Sequence, residues 1–575
     1  MKFIEFDHNK CDECFKCLRV CPTKAIAFTN HSRHIIDELC IKCGLCQMHC
    51  ATGALKIQLD LRTVQSAIHN GAKVVASLAP SFAGAFKLDE AGQMATALKR
   101  LGFSVVEETA RGAEMTSLEY EKYIIEGKSE NLITSCCPSS NYLIEHYFQA
   151  ALPSVIPVVS PMIAHGKDLK IRYGNDAFVV FIGPCLAKKA EAVDLPGSID
   201  AVITFKELSQ WLAHEHIIPS NLDATDFDTP VTQRGRAYPM GGSLWRGDLE
   251  SRINPKYKYL HIDGIDDCKS FLSAVVAGEI TGYCAEINIC SGSCLGGPDM
   301  PDESPNLYKR MSLMNTHINN KCSMSEYAPC DVTQESLMRT FVPKNNLFPP
   351  VNDNQISEIL IKMEKYSETD QLNCGACGYS SCYDKAIAIS RGLSDINMCL
   401  DSLRKKAESL QSIIFENSPN AICILDGEFR IQEVNPSFNR LLNASKIRLK
   451  HWPIAALVED SIFDDIKNSM HEHIGKKIYL ESIERTFYAN VVKIQNGKIY
   501  VGIFTDITEY ENSREEFERV KSETLITCQQ VIDKQMRIAQ EIASLLGETT
   551  AETKVGLNKL KKLVITNNSD LSGGD

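Results

Sequence analysis

Three runs of cysteine limit what this chain can fold into. Cys11-x2-Cys14-x2-Cys17-x3-Cys21, followed by Pro22, recurs as Cys40-x2-Cys43-x2-Cys46-x3-Cys50, and a third run, Cys374-x2-Cys377-x4-Cys382, is completed by Cys399. They belong to a total of 23 cysteines in 575 residues. The first residues, MKFIEFDHNK, lack the basic start and apolar stretch of a secretory leader, so a cytoplasmic location is expected. In that reducing compartment disulfides are disfavoured, and clustered thiolates read as metal ligands. No apolar run reaches the roughly 18 residues of a membrane helix. A net charge of −12 argues against nucleic-acid or anionic-membrane partners. The length calls for several domains.

In the first two runs, three thiolates at x2 steps suit one cubane and the fourth reaches across to another. Cys11, Cys14, Cys17 and Cys50 are therefore expected on one cluster, and Cys40, Cys43, Cys46 and Cys21 on the second. Zinc, the competing metal, favours paired ligands instead. With Gly44 and Gly53 at turns, residues 1–59 resemble a two-[4Fe-4S] ferredoxin domain, an electron relay without a substrate. Residues 366–402 resemble a small [4Fe-4S] module held by Cys374, Cys377, Cys382 and Cys399, with Gly375 and Gly378 allowing the tight wrap. Zinc stays open as an alternative there, because C-x2-C also suits it.

Between them, residues 60–365 alternate short apolar runs (AKVVASLAP, SVIPVVSP, AFVVFIGP, AVITF) with helical patterns such as GQMATALKRLGF and EMTSLEYEKYIIEG. That predicts α/β architecture, with cysteines just past strand ends where such folds place their sites. The segments Thr134-Ser135-Cys136-Cys137-Pro138, Gly183-Pro184-Cys185-Leu186-Ala187-Lys188 and Glu286 to Gly297 resemble the three signature segments of [FeFe] hydrogenases, in family order. Ala79-Pro80-Ser81 and Ser160-Pro161 resemble two further pocket segments. The resemblance implies an H-cluster: a [4Fe-4S] cubane joined to a diiron unit bearing CO, cyanide and a bridging azadithiolate. By position, Cys137, Cys185, Cys290 and Cys294 ligate the cubane, and Cys294 bridges to the diiron unit. Lys188 donates to one cyanide and the backbone around Ala79, Pro80 and Ser81 receives the other. Pro184, Met162 and Asn288 complete the pocket. Cys136 is the implied proton relay, a role open to a thiol whose pKa is tuned; the plainer reading is a small buried residue.

The departures weaken the family's proton path. Its two relay carboxylates fall on Tyr120 and Tyr123 and its relay serine on Ile156; Glu119 or Glu121 substitutes if the alignment slips by a residue. A phenol with pKa near 10 relays poorly at neutral pH, so slow turnover is expected. Cys268, Cys284, Cys322 and Cys330 lack cluster spacing and read as core or surface thiols.

Residues 403–510 resemble a PAS domain. The pattern is helix, strand, Asp-Gly turn and strand, then Asn435-Pro436-Ser437-Phe438 opening a helix and the exit Asp506-Ile507-Thr508. No haem or flavin signature is present, and Cys423 alone holds no cluster. Residues 511–565 read as a long helix with apolar residues every seven positions (Leu525, Ile532, Ala539, Leu546; Phe517, Thr524, Val531, Ile538, Leu545). That spacing predicts a coiled coil or an amphipathic helix packed on the PAS domain. Gly547 to Thr550 breaks it, and residues 566–575 read as a disordered tail.

The expected protein is a hydrogen sensor of the [FeFe] hydrogenase type: reversible heterolytic H2 cleavage with slow turnover, three [4Fe-4S] clusters plus the H-cluster, and a PAS/coiled-coil output. The expected partners are H2 and protons, a soluble redox partner such as ferredoxin, a second copy of the chain, and a separate kinase or phosphatase. The alternatives are a metabolic ferredoxin-linked hydrogenase and a hydrogenase-like iron–sulfur scaffold without the diiron unit.

Overall fold

The computed structural model describes residues 4–29, 32–57, 59–242, 254–319, 331–344, 348, 351–442, 449–458, 461–469, 471–494, 497–546 and 555–562. Cys322, Cys330, the break at Gly547 to Thr550, the side chains of Leu545 and Leu546, and the tail 566–575 lie outside the described residues. The chain divides into two compact units, Met1–Leu403 and Arg404–Asp575.

The first unit begins with two small antiparallel ribbons. One pairs β1 (Ile4–Phe6) with β4 (Leu55–Ile57), the other β2 (Ile26–Thr29) with β3 (Ser32–Ile35). Each cysteine run turns into a short helix, Lys16–Val20 or Leu45–Met48, through a left-handed residue: Phe15 (φ 54°) in the first, Gly44 (φ 78°) in the second. Only a glycine takes that conformation without strain. At Gly44 it also makes room, since a Cβ would lie 2.5 Å from Leu186 Cδ1.

Two parallel sheets follow. One has the order β6-β5-β8-β9 (Val105–Glu108, Val74–Leu78, Phe178–Gly183, Ala201–Thr204), the other β10-β11-β7 (Lys258–Asp263, Tyr283–Asn288, Leu132–Ile133). The strands β5, β8 and β9 of the first are buried on both faces, which is why they read as continuous apolar runs rather than alternating ones. Val75, Leu78, Val180, Ile182 and Ile203 anchor the core they share with the flanking helices. Helices Ala110–Glu126 and Pro161–Tyr173 cross closely because Gly112 has no side chain; a Cβ there would lie 2.1 Å from Pro161 O.

The second unit is a five-stranded antiparallel sheet in the order β13-β12-β16-β15-β14 (Ile431–Val434, Ala421–Asp426, Ile499–Asp506, Arg485–Ile494, His473–Leu480). Alternate residues of β12 are buried, as a sheet with one core face requires. Asn435 starts helix Pro436–Leu441: its side chain accepts from Phe438 N and Ile422 N and donates to Phe415 O and Asn420 O. Cys423 is a core residue. Asp506 caps the exit by accepting from Thr508 N at 3.0 Å. Helix Thr508–Leu546 then runs 39 residues. Leu525, Ile532 and Ala539 are half-buried on it, whereas Phe517, Val531 and Ile538 are exposed.

Candidate functional site

The carboxyl ends of β5, β6, β7, β8 and β11 open onto one cavity, the location an open parallel sheet favours. Ala79, Pro80 and Ser81 enter from β5, Thr109 from β6, Cys136 and Cys137 from β7, Pro184, Cys185 and Lys188 from β8, and Glu286, Asn288, Cys290 and Cys294 from β11 and the turn after it. Pro161 and Met162, at the start of their helix, close one wall. Every pocket residue expected from the sequence lines this cavity except Ser160. That residue lies behind the wall and donates from Oγ to Glu191 Oε2 at 2.8 Å.

Burial pushes the Cys185 thiol up to about 11. Burial, and the charge each thiol places on its neighbours, push Cys290 and Cys294 well above the usual thiol range. Three such thiols ionise together only with a cationic group among them, which a metal cluster supplies. Two features of the walls fit a cofactor larger than a cubane. The Ser81 hydroxyl is fully buried and has no hydrogen-bond partner among the described residues, and Lys188 brings a buried ammonium to the lining. Lys188 is fixed from behind: its Nζ lies 2.8 Å from Glu191 Oε2 and 3.3 Å from Cys136 O. Glu191, fully buried, also binds Arg339 at 3.2 Å.

Cys136 sits beside the set, its thiol pushed up to about 12 by burial and then by the charge of Glu286. Glu286 itself, buried and among the described residues accepting from Gly242 N at 3.0 Å and from Asn288 Nδ2 at 3.4 Å, is pushed up to about 7 by burial. Its cross-strand neighbour on β10 is His261, which is half-buried and 3.1 Å from the Ser293 hydroxyl. Sequence reasoning gave Glu286 no role. The available signal was a carboxylate inside the apolar strand run Tyr-Cys-Ala-Glu-Ile-Asn.

Tyr120 and Ile156 are buried in one cluster with Cys136. Tyr120 OH lies 3.1 Å from Ser135 Oγ and accepts from Ser135 N at 3.2 Å. Tyr123 OH donates to Met338 Sδ at 3.5 Å. Glu119 pairs with Lys122, and Glu121 with Arg234. Neither carboxylate lines the cavity.

The other cysteine sets also converge. Cys21, Cys40, Cys43 and Cys46 line one small cavity, and Cys374, Cys377, Cys382 and Cys399 another. Burial pushes Cys17 up to about 12, with added contributions from the charges of Cys11, Cys14 and Cys50. Cys268 and Cys284 are fully buried core residues. Glu107, His165 and Asp168 lie close enough to share a metal ion. Arg172 already binds both carboxylates at 2.6 Å and Arg111 binds Asp168 at 2.6 Å, so this is a buried salt-bridge network. No described helix is long and apolar enough to cross a membrane.

Residues 72–247 match the family model for the C-terminal domain of the iron only hydrogenase large subunit. Residues 10–60 match a 4Fe-4S dicluster domain, 370–400 a model for an Fe-S cluster and 408–473 a PAS domain. The NADP-reducing hydrogenase subunit HndD of Solidesulfovibrio fructosivorans is 27% identical over 375 residues, covering 51% of this chain and 64% of that protein. Iron hydrogenase 1 of Clostridium pasteurianum is 25% identical over 378 residues, covering 53% and 66%. The chain thus spans just under two thirds of the length of these relatives. Among solved structures, a variant of [FeFe]-hydrogenase HydA1 from Chlamydomonas reinhardtii aligns at 17% identity and TM-score 0.42 over 50% of this chain and 100% of that one. The PAS domain of an HTR-like protein from Haloarcula marismortui aligns at 18% identity and TM-score 0.16 over 19% and 97%.

Proposed function

We propose that this chain, which joins an [FeFe]-hydrogenase-like catalytic domain to iron–sulfur and PAS domains in the order of a sensory hydrogenase-like architecture, senses hydrogen by splitting it slowly and reporting the electrons released. The observation that carries the reading is the convergence of Cys137, Cys185, Cys290 and Cys294 with Lys188, Cys136 and a Ser81 hydroxyl unpaired among the described residues around one cavity. The four cysteines would hold the H-cluster, which when bound supplies an iron position at which hydrogen divides into two protons and two electrons.

The chain's own residues do the rest. Lys188, clamped by Glu191, holds a fixed positive donor against the anionic edge of the cofactor. The apolar walls of Ala79, Pro80, Pro161, Met162 and Ile289 exclude water. Cys136 keeps its proton at Sγ, and Glu286, poised near neutrality, takes it on or gives it back. From Glu286 the route leads toward His261, its neighbour on β10, and does not pass through Tyr120 or Ile156. A path with few acidic carriers supports slow turnover, which suits a reporter. For output, exposed Phe517, Val531 and Ile538 favour pairing of helix Thr508–Leu546 with a second copy, a separate kinase or phosphatase reading the result.

A metabolic reading, with electrons exchanged with a soluble ferredoxin, is favoured by one feature, the exposed Cys14 in the first cysteine run. Infrared spectra of matured protein under hydrogen and then argon test the proposal. CO and cyanide bands that shift reversibly with the gas support it. Their absence leaves the scaffold reading, and turnover matching metabolic hydrogenases favours the second.

A further inference from the structure

We infer that the Cys374–Cys399 module is an electron trap, fed by the cluster that Cys21, Cys40, Cys43 and Cys46 would hold and set by the buried ammonium of Lys385. The inference rests on reading these cysteine sets as cluster ligands, as proposed above.

The feeding cluster is a junction. On one side its loop meets the cavity lined by Cys137, Cys185, Cys290 and Cys294, where Gly44, beside Cys43, lies against Leu186, beside Cys185. The charge of Cys43 reaches Cys290 as well. On the other side the module docks. Buried Tyr379 packs against Leu18 and Cys21, and a Cβ at Gly378 would lie 2.8 Å from Leu18 Cγ. Arg19 Nη1 donates to Ala376 O at 3.2 Å, and Phe28 N to Leu393 O at 3.0 Å. Tyr379 and Lys24 each feel the charges of both Cys21 and Cys377. One cysteine set therefore touches both neighbours.

The two cavities differ in charge. Around Cys21, Cys40, Cys43 and Cys46 the lining carries no charged side chain among the described residues, Ile26, Ile35 and Ile41 being typical of it, and Lys42, whose charge reaches Cys40, is neutralised by Asp37. Around the module's cysteines it carries Lys365 and Lys385. Lys365 is neutralised by Asp401. Lys385, fully buried, bonds to the Ser394 hydroxyl and among the described residues pairs with no carboxylate. Lys24 lies near both sets and does not distinguish them. Reduction makes a cluster one unit more negative, which an apolar shell opposes and a buried cation favours. The electron thus runs from junction to module: the junction cluster is oxidised from the 1+ to the 2+ state and the module cluster reduced from 2+ to 1+, with no bond or proton exchanged. The module stays reduced while hydrogen keeps the junction supplied.

The test is an equilibrium redox titration of full-length, cluster-loaded protein followed by electron paramagnetic resonance, each signal assigned by its change in Cys382→Ser, Cys43→Ser and Cys14→Ser. In the unmodified chain the module signal should appear at higher potential than the junction signal and relax faster once the junction is reduced. In Lys385→Met the module's reduced-to-oxidised ratio at fixed potential should fall at least about tenfold, or about 59 mV for one electron, with the other midpoints unmoved. A module that titrates below the junction, or an unmoved midpoint in Lys385→Met, overturns the trap. Relaxation that follows only the cluster perturbed by Cys14→Ser overturns the junction. Should Lys385→Met lose its cluster, the order of potentials in the unmodified chain still decides. Iron content separates the two levels: full loading with the wrong order sinks this inference alone, whereas unloaded cysteine sets sink the reading beneath it.

Discussion

Replacing Glu286 by Gln separates the energetic cost of this acid from its use. Burial holds the carboxyl at about 7 against an ordinary 4.5. At about 1.36 kcal/mol per pKa unit, the ionised side chain costs the fold about 3 kcal/mol. The sign follows from a carboxyl pKa that is raised on folding. Below about pH 4.5 the acid is neutral in both states and costs nothing. Stability is lost as pH climbs from there to about 7, and the full cost applies above. An uncharged Gln escapes it, so the variant should be more stable than the natural chain by about 2 kcal/mol at pH 6 and about 3 kcal/mol at pH 8. Urea unfolding at the two pH values measures the difference. The infrared band of the protonated carboxyl, present in the natural chain and missing from the variant, should titrate near pH 7. The same change removes a proton carrier, so exchange of H2 against D2O by loaded protein should slow by about 100-fold or more. A band titrating in the ordinary carboxylate range, equal stabilities at pH 8, or undiminished exchange in the variant would refute the assignment.

Lys188→Met removes the ammonium that Glu191 clamps; the cubane iron should stay while the CO and cyanide bands weaken or split, as infrared intensity against iron content would show. Asn435→Ala removes four hydrogen bonds at a buried helix start, and the sheet unit should lose about 2–4 kcal/mol, read as an earlier unfolding transition of that unit by calorimetry. Val531→Glu places a charge on the exposed apolar stripe of helix Thr508–Leu546 and should convert dimer to monomer by analytical ultracentrifugation, while a natural chain that is already monomeric would remove the pairing surface altogether.

The closely spaced cysteine sets were legible because thiols at x2 steps share one loop, and most strand ends because parallel strands buried on both faces read as apolar runs. The pocket segments were legible from their motifs, and Ala79, Lys188 and Asn288 do line the one cavity. What sequence did not disclose are partners supplied from elsewhere in the chain. Glu191 is one helical turn from Lys188, yet its importance comes from Ser160 and Arg339. Glu286 becomes an acid of interest only where Cys136 and Gly242 meet it. Asp168 and Arg172 are an i,i+4 pair on one helix, but the pairing of Asp168 with Arg111 crosses to another helix and that of Arg172 with Glu107 to a strand, and no local pattern announces those two. The split into a four-stranded and a three-stranded parallel sheet was equally hidden, since alternation of elements fixes the class and not the strand order.

The helix that leaves Asp506 spans 39 residues, a rod about 58 Å long at 1.5 Å per residue. Over that length the message best preserved is rotation about the rod's own axis. Two extra residues would swing the far end through about 200°, whereas seven would return it to within about 20° of its original heading. On the sensing function proposed above, that end would report phase, and spliced lengths should work in whole heptads and fail between them.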